Sequence, residues 1–162
     1  MKKNLLVGIL AFAMVFPTFA QDTSNLSQAA KLAYDWLAQE GYRPSVDGDG
    51  DVMFKASGYS MYVFNYSTDQ NYLRIYCGGI KSIDMGGKDA IYQSFAALKA
   101  CSVVNEKYKL VKAYMTSDGR VCLEVQSYID ATPEVSSLDT SIDFILRCIN
   151  LWKEEYNSLV SD

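Results

Sequence analysis

Apolar positions along this chain recur at helical spacing, then alternate, then return twice more to helical spacing. Over residues 25–40 they fall at Leu26, Ala29, Ala30, Ala33, Trp36 and Leu37, and Gly41 follows at once as a stop. That spacing predicts a first helix. Residues 43–46, 52–56, 59–66 and 72–77 read as strands, separated by the turn Asp47-Gly48-Asp49-Gly50, by Gly58 and by residues 67–71. Glycines at 78, 79, 86 and 87 bracket a loop before a second helix over 88–105, where Ile91, Phe95, Leu98 and Cys101 share a face. Residues 110–116 and 120–129 predict a hairpin around Ser117-Asp118-Gly119. A last helix starts near 133–137 and carries the stripe Leu138, Ile142, Ile145, Ile149, Trp152, Tyr156 and Leu159. The order is α-β-β-β-β-α-β-β-α. Short connections between successive strands demand antiparallel pairing, so the pattern predicts an α+β domain with an antiparallel sheet of five or six strands and helices on one face.

Sorting the strands by alternate residues separates two chemistries. One set is Met61, Val63, Leu73, Ile75, Cys77, Val111, Ala113, Met115, Val121, Leu123 and Val125, which suits a face roofed by amphipathic helices. The other is Tyr62, Phe64, Tyr66, Tyr72, Arg74, Tyr76, Lys112, Tyr114, Glu124, Gln126 and Tyr128. Two readings fit that second set. Tyrosine has good strand propensity and tolerates a wet face; tyrosine and arginine are also enriched at the energetic centres of interfaces. The docking reading singles out Tyr62, Phe64, Tyr66, Arg74, Tyr76 and Tyr114.

The first twenty residues change the picture of where the chain works. Lys2 and Lys3, an apolar run over 5–16 and then Thr18-Phe19-Ala20 make the basic, greasy and small segments of a secretory signal peptide. The run is about a dozen residues, against the roughly 20 that span a bilayer, so removal is expected rather than anchoring. Residues 21–162 are then one domain, exported to the periplasm of a Gram-negative cell, with no second run of spanning length. Without Lys2 and Lys3 the chain has 13 basic against 19 acidic residues, a net charge of −6. The basic residues are dispersed, which argues against nucleic acid.

Histidine is absent. Ser-His and Cys-His nucleophilic machinery is excluded, as is any zinc site containing histidine. Cys77, Cys101, Cys122 and Cys148 have no metal-binding spacing. They read either as small buried hydrophobes or as disulfide partners. Of the pairings, Cys77 with Cys101 is geometrically easier, both facing the expected core, whereas Cys77 and Cys122 fall on opposite faces.

The remaining motifs carry little chemistry. Alternating aspartates over 47–51 suggest calcium, but the helix-loop-helix calcium loop needs Gly and Glu where Val52 and Gly58 stand; a turn with solvated carboxylates is the better account. Gly86-Gly87-Lys88 lacks the Gly and the Ser or Thr of a phosphate loop, since Ser82 and Asp89 occupy those places. Glu154-Glu155 and Glu124 with Asp130 form no general acid and base pair, and no nucleophile-elbow pattern occurs. No enzyme, cofactor or metal is expected.

Taken together, Glu40-Gly41-Tyr42, the acidic turn running into Val52-Met53-Phe54-Lys55, and Tyr72-Leu73-Arg74-Ile75 resemble the YbjN family. So do Asn105 closing the second helix, Val111-Lys112-Ala113-Tyr114, the Asp118-Gly119 turn and the final amphipathic helix. That resemblance covers most of residues 26–160. It implies a type III secretion chaperone-like fold, a loose connection with sensory-transduction regulation, and protein binding or dimerisation. It supplies no catalytic residues. The expectation is a secreted, non-enzymatic protein-binding or regulatory domain whose partner is unidentified or a second copy of itself. The alternative is a binder of a small ligand or envelope component in a pocket between sheet and helices.

Overall fold

The computed structural model describes residues 22–128 and 136–161. The signal-peptide reading and Asp130 lie outside them. The elements are α1 (Gln28–Gln39), β1 (Ser45–Val46), β2 (Val52–Ala56), β3 (Tyr59–Val63), β4 (Tyr72–Ser82), α2 (Ala90–Lys107), β5 (Val111–Met115), β6 (Arg120–Tyr128) and α3 (Ser136–Val160). The six strands form one antiparallel sheet in the order β1-β2-β3-β4-β6-β5. This is the expected α+β order and fold class, but β3 stops at Val63 instead of continuing to Tyr66, and β4 runs through Gly78-Gly79 to Ser82 where the glycines predict a loop.

Local chemistry fixes the element ends. The Ser27 hydroxyl accepts from the Ala30 amide at 3.2 Å and starts α1. At the other end Gly41, at φ +82°, lets its own amide reach the Ala38 carbonyl and the Tyr42 amide reach the Leu37 carbonyl. That paired arrangement satisfies carbonyls the helix would leave open, and Tyr42 stacks back on Trp36 at 6.0 Å. Arg43, also at positive φ, keeps the chain out of the sheet, so β1 begins two residues later than the apolar pattern suggests. Ser57 and Gly58 both take positive φ in the two-residue link between β2 and β3, the turn whose twist matches paired strands.

The covered face of the sheet is aliphatic. Met61, Val63, Leu73, Ile75, Cys77, Val111, Ala113, Val121, Leu123 and Val125 are all buried, and Met115 is half-buried at the rim. Over them lies α3, whose Leu138, Ile142, Ile145, Ile149, Trp152 and Tyr156 are buried as their spacing predicts.

Helix α2 departs from expectation. Ile91, Phe95 and Leu98 are 89%, 63% and 51% exposed. Of the expected face Cys101 alone is buried, and it is joined there by Ala96, Ala97, Ala100 and Val104. The cause is Trp152: its indole fills the space between the helices and donates to the Ala97 carbonyl at 3.3 Å. Small side chains on α2 permit that approach, and larger ones would push the helices apart. Asn105, near the end of α2, brackets the backbone of Ala113, donating to its carbonyl at 2.9 Å and accepting from its amide at 2.7 Å. The helix is thereby tied to edge strand β5, occupying groups that an open edge would expose.

All four cysteines are buried free thiols, so no bond joins Cys77 to Cys101 although both do face the core. Burial pushes the Cys77 thiol up to about 12 and those of Cys101 and Cys148 to about 11, which keeps them protonated and unreactive.

Candidate functional site

Cross-strand register assembles the open face. Tyr62 pairs with Tyr76, Tyr76 with Glu124, and Glu124 with Lys112, making one row across β3, β4, β6 and β5. Arg74 opposite Gln126 and Tyr72 opposite Tyr128 lie along the β4–β6 ladder, and Tyr114 opposite Cys122 lies beside them. Because side chains directly opposite stand about 5 Å apart, such rows bring together residues far apart in sequence.

All six residues singled out from the sequence sit on this face. Tyr62, Phe64, Tyr66, Arg74, Tyr76 and Tyr114 are each half-buried. Ring centroids run Tyr62–Tyr76 at 6.4 Å, Phe64–Tyr76 at 5.5 Å, Phe64–Tyr66 at 6.3 Å, Tyr66–Tyr72 at 4.9 Å and Tyr72–Tyr128 at 5.3 Å. The tilted and edge-on geometries are those aromatic quadrupoles favour. Arg74 is the hub. Its guanidinium lies 4.6 Å from the Phe64 ring centre and 5.7 Å from that of Tyr76. It donates to the Tyr66 hydroxyl at 3.2 Å, to the Tyr114 hydroxyl at 3.3 Å, and through two nitrogens to one carboxylate oxygen of Glu124.

Alternation puts Glu124 on this face, outside the six residues that the docking reading singles out. It is 2% exposed. Besides Arg74 it accepts from the Tyr114 hydroxyl at 3.0 Å and from the Gln126 amide at 2.6 Å, with Lys112 at 3.7 Å. Burial alone would raise its carboxyl, but hydrogen bonding and charge from Arg74, with Tyr114 and Gln126, hold it below the ordinary glutamate value. Burial likewise opposes the Arg74 charge, and Tyr66 and Glu124 outweigh it, so the guanidinium stays cationic. Burial, then the Glu124 hydrogen bond and charge, push the Tyr114 hydroxyl up to about 12. The network is a fixed, neutralised scaffold beneath aromatic rings. It offers no poised acid or base.

Two glycines shape one end. The β4–β6 pairing shifts register between Cys77 and Lys81, at Gly78-Gly79, and Gly79 takes φ +67°. A methyl group at Gly78 would stand 2.5 Å from the Tyr76 hydroxyl and 2.6 and 2.7 Å from its ring carbons. The bare backbone lets Tyr76 lie across it and bring its hydroxyl within 3.0 Å of the Cys122 sulfur. Beside these glycines is a cleft of about 370 Å³, lined by Asp47, Asp49, Asp51, Tyr62, Phe64, Tyr76, Gly78, Gly79 and Arg120. The acidic turn is the β1–β2 connection, as expected. Its position at the rim of the aromatic face was not foreseen, because only the sheet order brings it there. Among the described residues, no group of three or more acidic, cysteine or histidine side chains is arranged to hold a metal ion. Nor is any of their helices long and apolar enough to cross a membrane.

No protein-family model matches the sequence. No curated protein sequence matches it either. Solved structures do share its fold. The ExsC–ExsE complex matches at TM-score 0.53 with 12% identity, covering 83% of this chain and 95% of the other. YbjN from E. coli matches at 0.51 with 11% identity, covering 74% and 87%. An uncharacterised protein from Methanothermobacter thermautotrophicus matches at 0.53 with 11% identity, covering 79% and 99%. The resemblance to YbjN therefore holds at the level of fold.

Proposed function

We propose that this chain is a secreted, non-enzymatic protein-binding domain that docks its partner through the tyrosine-rich face of the sheet. The observation that carries the reading is the Arg74–Glu124 hub, which holds a continuous run of half-buried aromatic rings in place before any partner arrives. Rings immobilised in advance lose little conformational freedom on binding, and fixed aromatic anchors make interface centres. One solved structure of this fold is a complex between two proteins, which supports binding as its use. Export to the periplasm rests on the leader at residues 1–20, and N-terminal sequencing of the exported protein is expected to begin at Gln21.

The layer between sheet and helices is occupied by side chains at most 5% exposed. That favours the open face over a small-ligand pocket beneath the helices. The test is Tyr62→Ser with Tyr76→Ser. Sedimentation and partner capture from intact cells are expected to show lost association, while circular dichroism shows a folded domain. Unchanged association in a folded double variant would reduce the face to wet surface.

A further inference from the structure

The cleft at the glycine end of the aromatic face joins two features usually kept apart. Its lining includes the rings of Tyr62, Phe64 and Tyr76 and the carboxylates of Asp47, Asp49 and Asp51. Among the described residues, the ion pairs are Lys31–Asp35, Arg74–Glu124, Lys112–Glu124, Arg120–Asp118 and Arg147–Asp143. None of them engages the three cleft aspartates. The one cation in the lining, Arg120, is held by Asp118 at 2.8 Å.

Three like charges within five residues repel one another, and the fold offers two of them backbone amides in place of an ion-pair partner. Asp47 accepts from the amides of Asp49 and Asp51 at 3.0 Å each, and Asp51 accepts from the Asn65 amide at 2.8 Å. Burial, and then the charges of Asp47 and Asp49, hold the Asp51 carboxyl above its ordinary value despite the Asn65 hydrogen bond and the more distant Arg74 charge. The same rings meanwhile show what they accept: Phe64 and Tyr76 already carry the chain's own Arg74 guanidinium against them. Aromatic rings beside carboxylates that no ion pair engages select a cation on both counts, by quadrupole and by charge.

We infer that the docked partner presents a basic polypeptide segment, and that one of its Lys or Arg side chains enters this cleft, its charge met by Asp47, Asp49 and Asp51 and its stem laid along Tyr62, Phe64 and Tyr76. The inference rests on the tyrosine face being the docking surface and names the chemistry of what docks there.

A fluorescent peptide alternating glycine and arginine tests it, with the same peptide carrying glutamate for arginine as control. Binding is measured by anisotropy to the wild-type protein and to three folded variants. The first is Asp47→Asn, Asp49→Asn, Asp51→Asn, in which the amide oxygens can keep the turn's hydrogen bonds. The second makes an equal change of net charge on α3, Asp139→Asn, Glu154→Gln, Glu155→Gln. The third is Tyr62→Ser, Tyr76→Ser. The arginine peptide is expected to bind and the glutamate peptide not to. The loop variant is expected to weaken binding about tenfold or more, and the α3 variant less than about twofold. Equal weakening by the loop and α3 variants, or equal binding of both peptides, overturns the inference. So does spermidine binding as tightly as the arginine peptide, since the segment would then be unnecessary. In any of those cases, capture of the cellular partner that still fails in the Tyr62, Tyr76 variant leaves the docking face standing; unaltered capture removes both.

Discussion

The two faces of this sheet are built on the same strands, residue by residue in alternation, yet they cohere by different physics. The covered face holds together by removing aliphatic side chains from water under α3 and the alanine side of α2. The open face has no roof. Its order comes from one buried carboxylate, one guanidinium and the aromatic rings that share them. Apolar burial tolerates small rearrangement, because it has no direction. A hydrogen-bonded hub does not, and a removed partner leaves the others unsatisfied. The comparison teaches that a solvent-side face can be preorganised as firmly as a core, provided its polar groups are all engaged.

The largest effect is expected from the covered side. Trp152→Ala removes the side chain that seats α2 and leaves a void, at a cost of about 3–5 kcal/mol by chemical denaturation. A cost near zero would mean α2 and α3 do not pack through the indole.

Glu124→Ala is the matching break on the open side. It strands the Arg74 charge and deprives Tyr114 and Gln126 of their acceptor. Because the Arg74 side chain keeps 24% exposure, the expected loss is about 2–3 kcal/mol, less than for a fully enclosed pair. The hub also has an acid signature. The folded carboxyl of Glu124 lies below its unfolded value of 4.5, so its contribution is whole above that pH and drains away as pH falls through the lower folded value. Arg74 faces it and stays charged throughout, the Tyr114 hydroxyl does not titrate there, and Gln126 carries no titratable group. Urea midpoints measured from pH 7 down to pH 3 are expected to fall more steeply for wild type than for Glu124→Gln. Parallel curves would show that the carboxylate is not held by its neighbours.

The smallest effect sharpens the contrast from outside both faces. Phe95→Ser on the outer side of α2 is expected to change stability by no more than about 0.5 kcal/mol, since the ring touches solvent rather than core. A loss comparable to Trp152→Ala would place the larger α2 residues back in the core.

The division into faces was legible because strand periodicity is local: each residue's neighbours in sequence reveal its side. Strand 52–56, the first half of β4, the hairpin at Asp118-Gly119 and the long stripe of α3 all follow from such short-range signals. What was not legible depended on pairing between distant segments. Glu124 became the buried centre of the site only because β6 lies beside β4, placing it against Arg74 fifty positions away. The acidic turn joined the aromatic face for the same reason, since its lining partners come from the end of β3, from β4 and from the start of β6. Helix α2 misled in another way. Ile91, Phe95 and Leu98 carry the greater hydrophobicity, but alanine fits where Trp152 leaves little room, and shape prevailed over hydropathy.

Hydroxyl-radical footprinting of the protein in intact cells, compared with the purified chain, addresses the docking claim most directly. Tyr62, Phe64, Tyr76 and Tyr128 are predicted to lose reactivity in the cell while Ile91, Phe95 and Leu98 keep theirs. Protection of the α2 residues with the tyrosines left fully reactive would contradict it, placing the partner on the other side of the molecule.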